Sequence, residues 1–201
     1  MTLVLVGLMN RSEPPPDPVY KGIPLSEWLA MSDMRLHDWE WKEIGAHPGE
    51  AIRAIGTNAL PMIESELRIR DSKFRMWLYA VLAKKGWEDR MPEPASSRHS
   101  RALAACRYLG DKALPVVHVT AELLSEDVDF YSRWVAARQL AFLGNKASAA
   151  IPALEAAVQS KALILWKERG DTNDFAAQAL DAIRGKNVDA TNSFGSRKPT
   201  L

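Results

Sequence analysis

Three observations on this 201-residue sequence predict an all-α fold. Apolar residues recur with the helical period, no stretch alternates between hairpin turn dipeptides, and one glycine-to-proline punctuation repeats three times. The composition permits such a fold, since 47% hydrophobic and 25% charged residues describe a globular chain able to bury a core. A formal net charge of +1 provides no overall field for a polyanion, so nucleic-acid binding would have to rest on a local patch. The single cysteine, Cys106, excludes an internal disulfide and a thiolate metal cage, which leaves apolar packing to hold the chain together.

Residues 1–18 form an apolar stub (MTLVLVGLM) and a Pro-rich linker (SEPPPDP). The stub is far shorter than the roughly 20 residues of a membrane span. Two readings of it stand. In one, it is the last half of an anchor helix that starts upstream, which makes the protein membrane-tethered or extracytoplasmic. In the other, it is a frayed apolar end of a cytoplasmic protein, and it lacks the basic lead of a signal peptide. Residues 19–185 are the folded domain. Residues 186–201 (KNVDATNSFGSRKPTL) have no periodicity and too little apolar content to offset chain entropy, so they read as a disordered tail.

Within the domain, residues 73–85 place Phe74, Trp77, Leu78, Val81 and Leu82 on one helical face. The same spacing recurs at Ala102, Ala105, Cys106 and Leu109, and at Ala176, Ala179, Leu180 and Ile183, with Gly185 as a C-terminal cap. The most strand-like run, VVHVT from Val116, sits inside a helical pattern.

Three segments align on themselves: AIRAIGTNALPMIESEL from Ala51, AACRYLGDKALPVVHVTAEL from Ala104 and AARQLAFLGNKASAAIPALEAAV from Ala136. The alignment superposes Gly56, Gly110 and Gly144, then Pro61, Pro115 and Pro152, with three extra residues in the third copy. Each glycine follows an apolar helical residue and suits the left-handed position that stops a helix. Thr57, Asp111 and Ser148 then read as N-caps of a second helix with proline in its first turn. Around that proline, Leu60, Leu114 and Ile151, then Ile63, Val117 and Leu154, then Leu67, Ala121 and Val158 define one apolar face.

The pattern A-x-x-x-[IL]-G followed by [AI]-[LI]-P resembles HEAT repeats, in particular the short bacterial HEAT-like repeats also found in phycobilisome lyases. It covers residues 51–185. The segment PVYKGIPLSEWL resembles the lead-in of such arrays, with Ser26 as a cap and Trp28 and Leu29 as the first packed pair. The resemblance implies an α-solenoid of about four antiparallel helix pairs that binds another protein without a shared catalytic residue. The helix of residues 73–85 and the loop of residues 86–100 interrupt the repeat interval.

Residues that could carry chemistry are few. His37, Asp38, Glu40 and His47 form an acid and histidine cluster, but Gly45 lies between them and no helical ligand spacing is present, so no metal is expected. Trp39 and Trp41 read as a lid over the end of the array or as an exposed stacking pair. Cys106 lies on an apolar face, where a thiol is inert. Ser96, Ser97, His99 and Ser100 lie together in a loop without an orienting acid. No phosphate-cradling glycine motif occurs, and no cofactor is implied.

The resulting expectation is a non-catalytic protein-interaction scaffold with another protein as partner and no enzymatic activity. The resemblance keeps an alternative open, a nucleic-acid-binding, DNA-glycosylase-like or chromophore-lyase-like HEAT enzyme. The only basic run for it is Arg68, Arg70, Lys73, Arg75, Lys84, Lys85 and Arg90, which faces an acidic block of Glu122, Glu126, Asp127 and Asp129. Counting three and seven residues from each proline gives Glu64, His118 and Glu155, then Arg68, Glu122 and Gln159. These six are the expected protein-binding stripes on the second helices, the concave side in the resembled family, with His118 open to a second role as a partly buried hydrogen-bonding residue.

Overall fold

The computed structural model describes residues 14–32, 45–86, 93–161, 163–166 and 172–186. The apolar stub up to residue 13, the His37, Asp38, Glu40, Trp39 and Trp41 group, Arg90, and the tail beyond residue 186 lie outside the described residues. Among those described, nine α-helices dominate, and the chain is all-α in class. They are α1 (Leu25–Met31), α2 (Pro48–Ile55), α3 (Leu60–Leu67), α4 (Lys73–Ala83), α5 (Ala95–Leu109), α6 (Val117–Glu122), α7 (Phe130–Leu143), α8 (Ile151–Gln159) and α9 (Phe175–Ile183). None is long and apolar enough to cross a membrane.

The three repeated segments become α2 and α3, α5 and α6, and α7 and α8. A 3₁₀ turn joins each pair: Gly56–Ala59, Gly110–Val116 and Gly144–Ala150. The three glycines have φ of +65°, +56° and +56°, with ψ of −138°, −126° and −139°. This is the mirror image of the extended region rather than the left-handed helical one, so it is closed even to asparagine and needs glycine. Pro61 and Pro152 fall in the first turn of α3 and α8, where an N–H has no helical partner. Pro115 instead lies inside the middle 3₁₀ turn, and α6 starts after it at Val117.

The predicted caps are corrected by this geometry. Thr57, Asp111 and Ser148 lie within the 3₁₀ turns, and no side chain caps α3, α6 or α8. The turn hands its own hydrogen bonds to the following helix, so a capping side chain has no vacant N–H to serve. Asp111 binds Lys146 of the next turn at 2.6 Å instead. Nor does Ser26 cap α1. Asp17, nine residues upstream, accepts from the Ser26 amide (3.0 Å) and hydroxyl (2.6 Å). Side-chain caps occur where a loop enters a helix in extended conformation: His47 on α2, Ser72 on α4, Asp129 on α7 and Asp174 on α9.

The first helices stack in order, α2 on α5, α5 on α7 and α7 on α9, while α3, α6 and α8 line up beside one another as a second layer. Each second helix makes its main helix-to-helix contact with the first helix of the following unit: α3 with α5, α6 with α7, α8 with α9. One continuous apolar core runs between the layers from Leu25 to Ile183. Its small residues let helices approach, and on α2 the Gly49 hydrogen faces Tyr108, where an added Cβ would sit 2.6 Å from the ring. Trp28 and Leu29 are both buried but separate: Leu29 joins the main core and Trp28 a smaller cluster with Ala46 and Ala51.

Two short antiparallel hairpins depart from the helix-only expectation. Strands β1 (Val19–Tyr20) and β2 (Ile23–Pro24) pair Tyr20 with Ile23 across Lys21 and Gly22, both at positive φ. Their carbonyls at Tyr20 and Ile23 accept from the buried Trp28 indole. Strands β3 (Ile164–Trp166) and β4 (Thr172–Asp174) lead into α9. The second departure is α4. Its Phe74 and Trp77, expected on a packed face, are 69% and 60% exposed.

Candidate functional site

Helix α3 carries Glu64 and ends at Arg68, its C-cap, while α6 carries His118 and Glu122 and α8 carries Glu155 and Gln159. The structure brings four of these six together. Arg68 donates to Glu64 Oε1 (2.8 Å from Nη2, 3.2 Å from Nε) and, from Nη1, to Glu122 Oε2 at 3.3 Å, a contact between units 54 residues apart. His118 Nδ1 lies 2.9 Å from the Pro115 carbonyl and Nε2 lies 3.4 Å from Arg68 Nη2. The carbonyl needs the proton on Nδ1, which leaves Nε2 to accept from the guanidinium, so the neutral ring satisfies both contacts. His118 therefore hydrogen-bonds as one reading allowed, but its side chain is 57% exposed rather than partly buried. Glu155 pairs with Arg184 at the end of α9, and Gln159 is exposed at the end of α8. The two stripes are thus one compact ionic cluster on α3 and α6, with two separate polar residues on α8.

Between α6 and α8 lies a groove of about 330 Å³. Ala121, Ala153, Ala156 and Ala157 line it, with Glu122 and Glu126 among its polar groups. Alanine at these positions keeps the groove open, because a longer side chain would fill the space between the two helices.

A larger cavity of about 600 Å³ opens where the C-terminal end of α3, the start of α4, the first turn of α5 and the loop before α7 meet. Its lining includes Arg70, Asp71, Met76, His99, Asp127 and Asp129. His99 is 1% exposed and makes two hydrogen bonds, Nε2 with the Ile69 carbonyl and Nδ1 with Ser132 Oγ, each 2.8 Å. Ser132 Oγ is also 2.6 Å from Asp129 Oδ2, while Asp129 Oδ1 caps α7 by accepting from the Ser132 amide. The Ile69 carbonyl requires a proton on Nε2. With a neutral ring, the one hydroxyl proton of Ser132 then has two acceptors, His99 Nδ1 and Asp129 Oδ2. A second proton on the ring would satisfy all three contacts, since Nδ1–H donates to Ser132 and Ser132 donates to Asp129. Burial nevertheless pushes His99 below its ordinary value, and Arg70 adds to this, against the opposing pull of the Ile69 carbonyl, Asp129 and Asp71.

This corrects the reading of Ser96, Ser97, His99 and Ser100 as a loop: all four lie in the first turns of α5. The signal was present, because His99 continues the Ala102, Leu103, Cys106 face one turn toward the N-terminus. Ser132 is fully buried and spends its hydroxyl on structure, so this trio orients a helix start rather than a nucleophile. Cys106 is also buried, and burial pushes its thiol up to about 12, which keeps it protonated and unreactive.

Three arginines of the basic run are engaged within the chain, while Lys84 and Lys85 of that run are exposed. Arg68 faces Glu64 and Glu122, Arg70 donates to the Leu67 and Ile69 carbonyls, and Arg75 pairs with Asp71. The acidic block shares this region, with Asp127 and Arg70 lining the same cavity. No group of three metal-ligating side chains occurs among the described residues. His47 uses Nδ1 to cap α2 through the Gly49 amide and stands edge-on to Tyr108.

No family model, no curated protein and no solved structure matches this chain. The likeness to HEAT repeats stands on the sequence motif and its three glycine turns.

Proposed function

We propose that this chain is a non-catalytic protein-interaction module, a HEAT-like α-solenoid in which the second helices α3, α6 and α8 receive another protein. The observation that carries this reading is the continuity of that layer. The exposed Glu64, Arg68, His118 and Glu122 cluster runs into the alanine-lined groove between α6 and α8, with Glu155 and Gln159 on the same helix beyond it. Such a surface combines a small apolar floor with a polar rim, the composition of a non-obligate interface. Its carboxylates, Glu122 and Glu126 at the groove and Asp127 beyond them, suit a partner that presents basic side chains.

The enzyme alternatives have less support. A nucleic-acid-binding or glycosylase-like role calls for cations free to meet phosphates, whereas Arg68, Arg70 and Arg75 are engaged within the chain. For a lyase-like role, the groove lining contains neither cysteine nor histidine.

Photo-crosslinking in the native cell tests the proposal. A crosslinking amino acid at position 118 or 159 should capture one defined protein, and the same group at Arg53 on the first-helix layer should not. Equal capture from both layers, or capture only from position 53, would remove the second-helix assignment.

A further inference from the structure

We propose that the cleft between α5 and α7 binds a small carboxylate that carries a hydrogen-bond donor beside its acid group, a 2-hydroxycarboxylate with a short apolar body. The cleft lies on the first-helix layer, apart from the surface assigned to a protein partner, so either reading can fail alone.

The first observation is a buried amide that the fold leaves unsatisfied. Gln139 is 2% exposed, and neither its Nε2 nor its Oε1 has a hydrogen-bond partner among the described residues. On α7 it shares a face with Ala136, Leu140 and Leu143, all buried, where a leucine would serve packing better. A buried amide costs stability unless something pairs with both of its ends. Gln139 lines a cavity of about 140 Å³, close to the roughly 150 Å³ that accommodates one benzene ring.

The second observation is the order of groups along that cavity. At one end the hydroxyls of Ser100 and Tyr131 stand 3.4 Å apart. Arg107 and Arg138 each lie two helical turns further on, about 10 Å away, so the two helices run side by side in the same direction. Leu103, Ala104, Trp134 and Val135 form an apolar wall between these ends. Among the described residues the lining contains both arginines and no carboxylate. Arg107 is exposed, lies over the Phe142 ring at 5.3 Å and makes no ion pair among the described residues. Arg138 lies over the Trp134 ring at 4.7 Å. Burial, then the charge of Arg107, holds Arg138 below its ordinary value, against the pull of Tyr131. The arginine end of the cavity therefore favours an anion.

These groups define the ligand. Its carboxylate meets Arg107 and accepts from Gln139 Nε2, while the neighbouring hydroxyl donates to Gln139 Oε1, which satisfies both ends of the amide. The apolar body lies along the wall of Leu103 and Val135. An ammonium in place of the hydroxyl would meet like charge from the arginines, so amino acids are disfavoured.

Calorimetric titration of the full chain with 2-hydroxyisovalerate tests this, beside isovalerate, which lacks the hydroxyl, 2-hydroxyisovaleramide, which lacks the charge, and valine. The hydroxy acid should bind saturably and each comparison compound about tenfold more weakly. Gln139→Leu should abolish binding and melt at or above the wild-type temperature, because it removes an unpaired amide from the interior. Arg107→Gln should weaken binding about tenfold and leave melting unchanged. The proposal is overturned if 2-hydroxyisovalerate gives no saturable binding, if isovalerate binds as well, or if binding persists in Gln139→Leu. Melting of Gln139→Leu below the wild type would also overturn it, since the amide would then be satisfied by buried water in a structural role.

Discussion

At the scale of single residues, the most constrained side chain is His99, which ties the α3 terminus, α5 and the α7 cap together through Ile69, Ser132 and Asp129. Replacing Ser132 with Ala would leave His99 Nδ1 unpaired inside the protein, and we expect a loss of about 1–3 kcal/mol in denaturant unfolding. The same histidine predicts a pH dependence. Its folded value lies below the ordinary 6.5, so its stabilising contribution is complete above about 6.5 and is lost as pH falls through the folded value. A ring titration followed by NMR should find His99 titrating below the ordinary 6.5. A His99 midpoint at or above 6.5 would mean that the ion-paired form dominates and the burial argument is wrong. Residue identities were legible in the sequence where a periodic face extended far enough. Cys106 falls among Ala102 and Leu109 and is read as core from that alone, whereas His99 hides behind three serines that look like a loop. The ionic meeting of Arg68 with Glu122 was partly legible, because counting from proline put both on second helices. Their distance apart depends on how units stack, which no local pattern encodes.

At the scale of elements, helix positions were read well and their joints poorly. Periodicity predicts a face, so residues 102–109 and 176–183 fall in helices, and the helix expected over residues 73–85 forms and ends two residues early, at Ala83. The caps were missed because 3₁₀ turns satisfy the N–H groups that Thr57, Asp111 and Ser148 were expected to serve. The end of α9 was readable: Gly185 at φ +70° follows it, and the Lys186 amide returns to the Asp181 carbonyl while the Gly185 amide returns to Ala182. The two hairpins escaped because each strand is two or three residues long, below the length at which alternation can be seen. Apolar faces can be tested element by element. Leu154 of α8 is fully buried, so Leu154→Ala should cost about 2–5 kcal/mol, and Leu154→Asp should remove the cooperative melting of α7 to α9. A full-amplitude transition in Leu154→Asp would show that α8 is not part of the continuous core.

At the scale of the whole molecule, the units are interdependent because each second helix packs on the first helix of the next unit. That staggered packing builds one surface from three helices far apart in sequence, and the Arg68 to Glu122 contact marks where two units meet on it. The most direct test of this surface is partner capture by the full chain carrying Glu122→Arg and Glu155→Arg. These residues are exposed or half-exposed and their ion pairs are worth little to folding. The melting transition should therefore stay within about 0.5 kcal/mol of the wild type, while the protein captured by the wild type is lost. Undiminished capture by this variant, with loss instead on replacing Trp39 or Trp41, would place the contact on the segment that carries those two tryptophans and contradict the second-helix account.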